Sequence, residues 1–171
     1  MPQSFTLGGS PWSTRVEWRA ALASAGTHLN AHAEAWLNHP DFPFGAVPPG
    51  ELVIATVGEL GLSNGGTRSE LESAAHTHGL EPCPVMAALA LRLAWTDQPE
   101  GRLAREHRAP DGSVTVMSLP FLPEPPGEPG DDFGFYLLQA EGQLWMRGYV
   151  APADHIWAPQ DVLAWSKVSS H

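Results

Sequence analysis

The sequence predicts an α+β protein in which N-terminal helices pack on a C-terminal antiparallel meander sheet. Three observations support this class. Helix-start signals of the form Thr-x-x-Glu lie in the first half of the chain, alternating apolar segments lie in the second half, and Pro-Glu-Gly or Pro-Asp-Gly turns follow two of those segments. Because strands joined by tight turns form a meander, we expect an antiparallel sheet covered by one helical layer.

The length of 171 residues fits a single domain over 1–171, with a helical part over 1–50 and an α+β part over 51–171. A chain of 18.4 kDa buries about 69% of the surface that its unfolded form exposes. The single cysteine, Cys83, excludes an intramolecular disulfide. We therefore expect a core that is stabilised by packing alone.

Capping signals predict three helices, at 14–25, 30–39 and 67–79, and one helical turn at 56–61. Thr14 and Thr67 each precede a glutamate by three residues, so that hydroxyl and carboxylate can satisfy free amides of the first turn. Asn30 is a good N-cap, and Pro40 ends the helix that it begins. The first helix carries Trp18 at apolar spacings of three and four, which is typical of a helix docked on a core.

Alternation and β-branched residues predict strands at 51–56, 89–95, 102–108, 113–119, 133–139, 143–150 and 162–168. In the segment 89–95, leucines alternate with Ala and Arg and so suggest a half-buried strand. Turns are expected at 98–101, 109–112 and 140–142. The segment 120–132 holds five prolines with two overlapping P-x-x-P spacings, which predicts a long surface loop or a polyproline ligand.

The charge balance restricts the classes of partner. A net charge of -10 argues against binding to a nucleic-acid duplex, because that affinity comes mainly from Lys and Arg. No apolar run is long enough for a membrane span, and the first residues lack the features of a signal peptide, so we expect a cytoplasmic protein that does not bind a membrane. Oligomeric state is left open by the sequence.

Eight histidines raise the question of a metal site. His28, His32 and His39 would share one face of a continuous helix, but a helix that begins at Asn30 leaves His28 outside. The segment His28-Leu-Asn-Ala-His32 also lacks the glutamate of a zinc-hydrolase motif. We predict neither a metal site nor a cofactor.

Cys83 lies between two prolines, just before a possible helix start at Pro84. A catalytic thiol needs a lowered pKa from a helix N-terminus, a histidine or a cation. No paired base is near Cys83 in sequence, and a free cysteine is commonly buried. A packing residue at the junction between helices and sheet is the prediction, and no catalytic residue is assigned.

Trp145, Arg147 and Tyr149 share one face of a predicted strand, opposite Leu144 and Met146. If only one side of the sheet is covered, the row is exposed and suits a partner-binding surface, since Trp, Tyr and Arg dominate protein interfaces. Core packing beneath the N-terminal helices is the alternative.

A longer pattern resembles a small bacterial family whose members are uncharacterised, with the signature ELG, GAT, GLELCP, LRLQYxDQPxG and WxPD. The matching positions are Glu59-Leu60-Gly61, Gly66-Thr67, Gly79-Leu80-Glu81, Cys83-Pro84, Leu91-Arg92-Leu93 and Asp97-Gln98-Pro99. This resemblance implies a bacterial, cytoplasmic setting and no particular activity. Within the shared pattern, Arg92, Asp97 and Gln98 are the candidate binding residues.

Three functions remain open. The first hypothesis is a non-catalytic binding or regulatory module that acts on a protein partner, because no cluster of acid, base and nucleophile is evident. A small enzyme that uses Cys83 or a histidine-bound metal in a cleft between helices and sheet is the second. An acidic immunity-type inhibitor that covers a basic surface is the third, and it rests on the negative charge alone.

Overall fold

The structure is a computed structural model that describes residues 1–103 and 109–169. Within these ranges the helices are α1 (Arg15–Ser24), α2 (Ala31–Leu37), α3 (Arg68–Thr77) and α4 (Met86–Ala94), with a 3-10 turn at Gly58–Leu60. The strands are β1 (Gln3–Leu7), β2 (His28–Leu29), β3 (Gly50–Thr56), β4 (Leu80–Glu81), β5 (Val114–Val116), β6 (Asp132–Ala140), β7 (Gln143–Ala151) and β8 (Val162–Lys167). The α+β class is confirmed.

The capping residues begin the helices where the sequence predicts. Thr14 accepts the Glu17 amide at 3.2 Å before α1, and Asn30 accepts the Ala33 amide at 3.0 Å before α2. Thr67 forms the reciprocal capping box of α3, in which its own amide donates to the Glu70 carboxylate at 2.7 Å. Local hydrogen bonds decide these positions, so they are readable from sequence.

The sheet is mixed, so the prediction of a purely antiparallel meander is wrong. Strand order is β1-β3-β8-β5-β6-β7-β2, and β4 pairs with β8 beside this path. Most pairs are antiparallel, but β5 runs parallel to β8 and β2 parallel to β7. The C-terminal strand enters between β3 and β5, a long-range pairing that no local turn signal specifies.

The segment 89–95 belongs to helix α4 and is not a strand. Met86, Ala87, Ala88, Leu89 and Leu91 are all buried. A helix that is buried on most sides has no polar face to reveal its period. The alternation of leucine with alanine in α4 therefore also fits a strand. Its alanines and leucines are strong helix formers, and none of its residues is β-branched.

Residues 1–50 form more than a helical part, because they also supply β1 and β2. Strand β1 pairs with β3 in the register Phe5↔Leu52, and β2 pairs with β7. The predicted strand 113–119 is reduced to β5, and in the predicted strand 102–108 residues 104–108 lie outside the described ranges. The Pro-rich segment is anchored at its start by Phe121, which is buried against Phe133 and Phe135.

Two apolar clusters lie on opposite faces of the sheet. Ile54, Ala164 and Val116 are in register across three strands and belong to the cluster that also contains residues of α1, α2 and α4. Their sequence neighbours Ala55 and Leu163 point the other way and join the cluster that contains residues of α3. The expectation of one helical layer is therefore wrong: helices contribute to the apolar clusters of both faces.

Candidate functional site

Strands β6 and β7 place Trp145, Arg147 and Tyr149 on one face, as their spacing predicts. Arg147 lies opposite Tyr136 in the antiparallel register. The residue between Arg147 and Tyr149, Gly148, faces α2, because a Cβ at that position would come within 2.5 Å of the Trp36 ring. The row therefore points away from α2, and its three side chains are each half-buried.

Arg147 has a planar guanidinium that few protein groups engage. It lies 5.3 Å from the centre of the Trp145 ring and 5.9 Å from that of Tyr136. Nη1 donates to the Leu103 carbonyl at 3.3 Å, and the buried Nε has no hydrogen-bond partner. No described residue forms an ion pair with Arg147. The two rings thus hold a cation that donates one hydrogen bond to the described residues.

An open pocket of about 600 Å³ lies beside this arginine. Its described lining residues are His32, Leu103, Ala109, Pro110, Thr115, Tyr136, Arg147, Gly148, Tyr149, Val150, Ala151, Pro152, His155 and Trp157. Although the chain has 19 Asp and Glu residues, none of them is among these lining residues. The permanent charge in the described lining is that of Arg147, so this described part of the pocket favours a negatively charged group.

Close backbone contact fixes one wall of the pocket. The Gly66 amide donates to the Trp157 carbonyl at 3.1 Å, and the Trp157 amide donates to the Gly66 carbonyl at 2.8 Å. At Gly65, which has a φ of +80°, a Cβ would lie 2.2 Å from the same Trp157 oxygen. The Gly65-Gly66 pair therefore allows the approach that brings Trp157 edge-on to Tyr149, with ring centres 5.7 Å apart.

A buried polar group supports the pocket floor behind Tyr149. The phenol donates to Asp132 at 3.3 Å, and Asp132 pairs with Arg68 of α3 at 2.9 Å. Burial raises the pKa of Tyr149 well above its usual value, and the neighbouring Asp132 carboxylate raises it further. Tyr149 is thus a neutral donor that is held in place, and it offers the pocket mainly its ring.

Arg92 lies deep in the protein and is 1% exposed. Nη1 donates to Gln98 Oε1 at 2.8 Å and to the Trp145 carbonyl at 3.1 Å, while Nη2 donates to the Trp95 carbonyl at 2.5 Å. Burial lowers the pKa of Arg92 to about 10. Its hydrogen bonds join the end of α4 to β7. Arg92 therefore stabilises the fold.

Gln98 is also buried, and its Nε2 donates to the carbonyls of Gly112 at 3.1 Å and Leu137 at 3.0 Å. Asp97, next to it, is exposed. Arg92 and Gln98 thus form one internal network with Asp97 outside it, and none of the three is among the described residues that line the pocket. A ligand in the pocket would not reach these two buried side chains.

Cys83 is fully buried, and burial raises the pKa of its thiol to about 11. Its amide donates to the Met117 carbonyl at 2.6 Å, and its carbonyl accepts the Leu119 amide at 3.0 Å. Cys83 is therefore a buried residue whose backbone pairs with the chain beside the end of β5. A buried thiol with a raised pKa is the opposite of an activated nucleophile.

The three spaced histidines are separated by the fold. His28 lies in β2, His32 stacks on Trp36 with ring centres 5.4 Å apart, and His39 follows α2, where Nδ1 accepts the Asp41 amide at 3.0 Å. Across the described ranges, no group of three or more His, Cys, Asp or Glu side chains is arranged to hold a metal ion.

Most of the described pocket residues were not candidates in the sequence analysis, among them Thr115, Tyr136, His155 and Trp157. A signal existed for Tyr136. The Glu141-Gly142 turn has positive φ at both residues, at 54° and 72°, as a two-residue hairpin turn requires. Counting residues outward from this turn along both strands pairs Tyr136 with Arg147. The position of the turn in the sequence therefore predicts that these two residues are neighbours.

No protein-family model matches the chain, and no curated protein or solved structure matches it either. The resemblance to a bacterial family therefore stays a prediction, and a function has to come from the geometry of the site. Within the described ranges, no helix is both long and apolar enough to pass through a bilayer.

Proposed function

We propose that this protein is a non-catalytic binding module that takes up part of a protein partner on the sheet face formed by Trp145, Arg147 and Tyr149. One observation supports the proposal above the others. The open pocket of about 600 Å³ lies on this face, and the permanent charge among its described lining residues is an arginine without an ion-pair partner among the described residues.

The physical basis is the low cost of binding at a prearranged arginine. Trp145 and Tyr136 already restrict the guanidinium of Arg147, so less side-chain entropy is lost when a partner contacts it. Trp, Tyr and Arg are also the residues that contribute most binding energy at protein interfaces. The face therefore combines a cation, aromatic surface and a concave shape.

The enzyme hypothesis has less support. Its nucleophile version depends on Cys83, which is buried and has a raised thiol pKa. Its metal version depends on histidines that lie in different elements. A binding site without catalysis accounts for the pocket and requires neither a reactive thiol nor a bound metal.

Site-specific photo-crosslinking tests the proposal. Ile156 is 57% exposed and lies between two pocket residues, whereas Val16 on α1 is 77% exposed and is not among the described pocket residues. A photoreactive phenylalanine analogue at position 156 should give discrete protein adducts in cell extract. The same analogue at position 16 is the matched control.

The decisive observation is the dependence on Arg147. Adducts at position 156 should disappear when Arg147→Gln is added, and they should persist with Lys167→Gln, which removes a positive charge on β8. Adducts that survive Arg147→Gln, or that form equally at positions 16 and 156, would contradict a partner-binding role for this face. Thermal melting of each variant shows that it is folded.

A further inference from the structure

We infer that the pocket receives a single acidic side chain of the partner, whose carboxylate binds the guanidinium of Arg147 while flanking apolar groups contact the aromatic walls. This inference rests on the proposed function and specifies the chemistry that the site recognises. It is argued from the unused donors of Arg147, the content of the pocket lining and the net charge of the chain.

The donors of Arg147 match a carboxylate. A guanidinium carries five N–H groups in a planar fork that can bind both oxygens of one carboxylate. Nη1 makes one long bond to the Leu103 carbonyl, and Nε is buried without a partner. No described residue supplies the carboxylate that a partly buried arginine usually pairs with. An external carboxylate would complete this pairing.

The lining distinguishes a carboxylate from a phosphate. Among the described lining residues there is one arginine and no lysine. A phosphate monoester carries nearly two negative charges and is usually bound by several cations or by amides at a helix N-terminus. The one permanent positive charge among the described lining residues matches one carboxylate.

The walls specify what surrounds that carboxylate. Tyr136, Tyr149 and Trp157 give the pocket aromatic surface, and Val150, Ala151 and Pro152 add apolar surface. Thr115, which is 2% exposed, adds a hydroxyl group. Aromatic or aliphatic neighbours of the acidic residue would therefore be buried together with it.

The net charge limits the partner to an isolated acid. At -10, the chain repels a run of acidic residues wherever they approach the rest of its surface. Screening reduces such forces beyond about 8 Å at physiological salt, so one carboxylate inside a pocket free of described acids interacts mostly with Arg147. A Glu or Asp between apolar residues is favoured over a polyacidic segment.

Three blocked peptides provide the test. Acetyl-Phe-Glu-Phe-amide presents the proposed group, acetyl-Phe-Gln-Phe-amide differs from it only in the charge, and acetyl-Glu-Glu-Glu-amide presents a polyacidic run. Binding is followed by the NMR signals of the Trp145 and Trp157 indole N–H groups, which Trp→Phe variants assign. We expect the Phe-Glu-Phe peptide to bind about tenfold more tightly than its Gln counterpart.

Variants of Arg147 locate the effect. Arg147→Gln should remove the preference for Glu over Gln, and Arg147→Lys should reduce it, because lysine keeps the charge but loses the planar fork. Lys167→Gln, a charge change on another strand, should leave the preference unchanged. Equal affinities for the Glu and Gln peptides, or a preference that survives Arg147→Gln, would overturn the inference.

Two further outcomes separate the ligand class from the proposed function. Inorganic phosphate or the triglutamate peptide binding more tightly than the Phe-Glu-Phe peptide would overturn the assignment of an isolated carboxylate. Crosslinks at position 156 that depend on Arg147, without any preference for Glu over Gln, would leave the proposed function standing and reject this inference. The reverse pattern would support the carboxylate site and reject the protein partner.

Discussion

Arg92 and Arg147 both contact Trp145, yet their surroundings differ. Nη1 of Arg92 donates to the Trp145 backbone carbonyl at 3.1 Å, whereas the guanidinium of Arg147 lies over the Trp145 ring at 5.3 Å. Among the described residues, three oxygens accept hydrogen bonds from Arg92, but a single carbonyl accepts one from Arg147. An arginine's partners, rather than its type or its place in a motif, therefore indicate whether it is committed to the fold or available to a ligand.

The largest effect should come from Arg92→Met, which keeps an unbranched apolar stem and removes the guanidinium. The Gln98 Oε1 and the carbonyls of Trp95 and Trp145 would lose their charged donor while buried. We expect a loss of about 3–4 kcal/mol in the free energy of unfolding, measured in urea. Arg102→Met, at an exposed position, should change it by less than about 0.5 kcal/mol. If Arg92→Met lowers the free energy of unfolding by less than about 1 kcal/mol, Arg92 and Arg147 do not differ in their importance for stability.

Gly65→Ala tests how firmly the pocket wall is built. Both Gly65 and Gly26 have positive φ, at +80° and +71°, but a Cβ at Gly65 would meet the Trp157 carbonyl at 2.2 Å and one at Gly26 would meet nothing within 4 Å. We expect Gly26→Ala to cost about 1 kcal/mol from the backbone conformation, and Gly65→Ala about 2–3 kcal/mol because Trp157 must move. If Gly65→Ala and Gly26→Ala lower the free energy of unfolding in urea equally, the backbone at Trp157 can move without a large energetic cost.

Asn30→Ala tests the edge of β7, the strand that carries Arg147. The Asn30 side chain accepts the amides of Ala33 and Gly148, at 3.0 Å and 2.8 Å, and donates to the Gly148 carbonyl at 2.9 Å. Its removal should cost about 2 kcal/mol. Asn30→Ser keeps an oxygen for the helix cap and should recover about half of that loss. Full recovery by serine would show that the bonds to Gly148 contribute nothing.

Arg147→Gln should have the smallest effect on stability, within about 0.5 kcal/mol of the parent protein in urea unfolding. With the described residues, the side chain makes one hydrogen bond of 3.3 Å and two ring contacts. A loss above about 2 kcal/mol would place Arg147 with Arg92 among the residues that the fold requires.

The helix starts and the long strands were predictable because local chemistry decides them. Thr14, Asn30 and Thr67 begin their helices through bonds to residues three positions away. Strands β6 and β7 also lie close to their predicted ranges, since a two-residue turn joins them. Strand β1 and the parallel pairing of β5 with β8 depend on contacts between distant segments, for which the sequence has no local signal.

The candidate site was predictable in part for the same reason. Alternation along β7 was enough to place Arg147 and Tyr149 on one face, but the pocket also needs Trp157, which Gly65 and Gly66 position from another part of the chain. Arg92 was a candidate binding residue because of its position in the pattern that resembles a bacterial family. That position arises equally from burial within a hydrogen-bonded network, and sequence spacing does not distinguish the two cases.

Asn30 also occupies hydrogen-bonding groups at the outer edge of strand β7. Strand β7 spans Gln143–Ala151, but β2 covers only two of its residues on the outer side. An uncovered strand edge is a template for pairing with another chain. The amide of Asn30 occupies the hydrogen-bonding position at Gly148, immediately beyond β2, and so acts as a one-residue continuation of the ladder. A single side chain therefore both begins helix α2 and satisfies the backbone groups of Gly148 at this edge of the sheet.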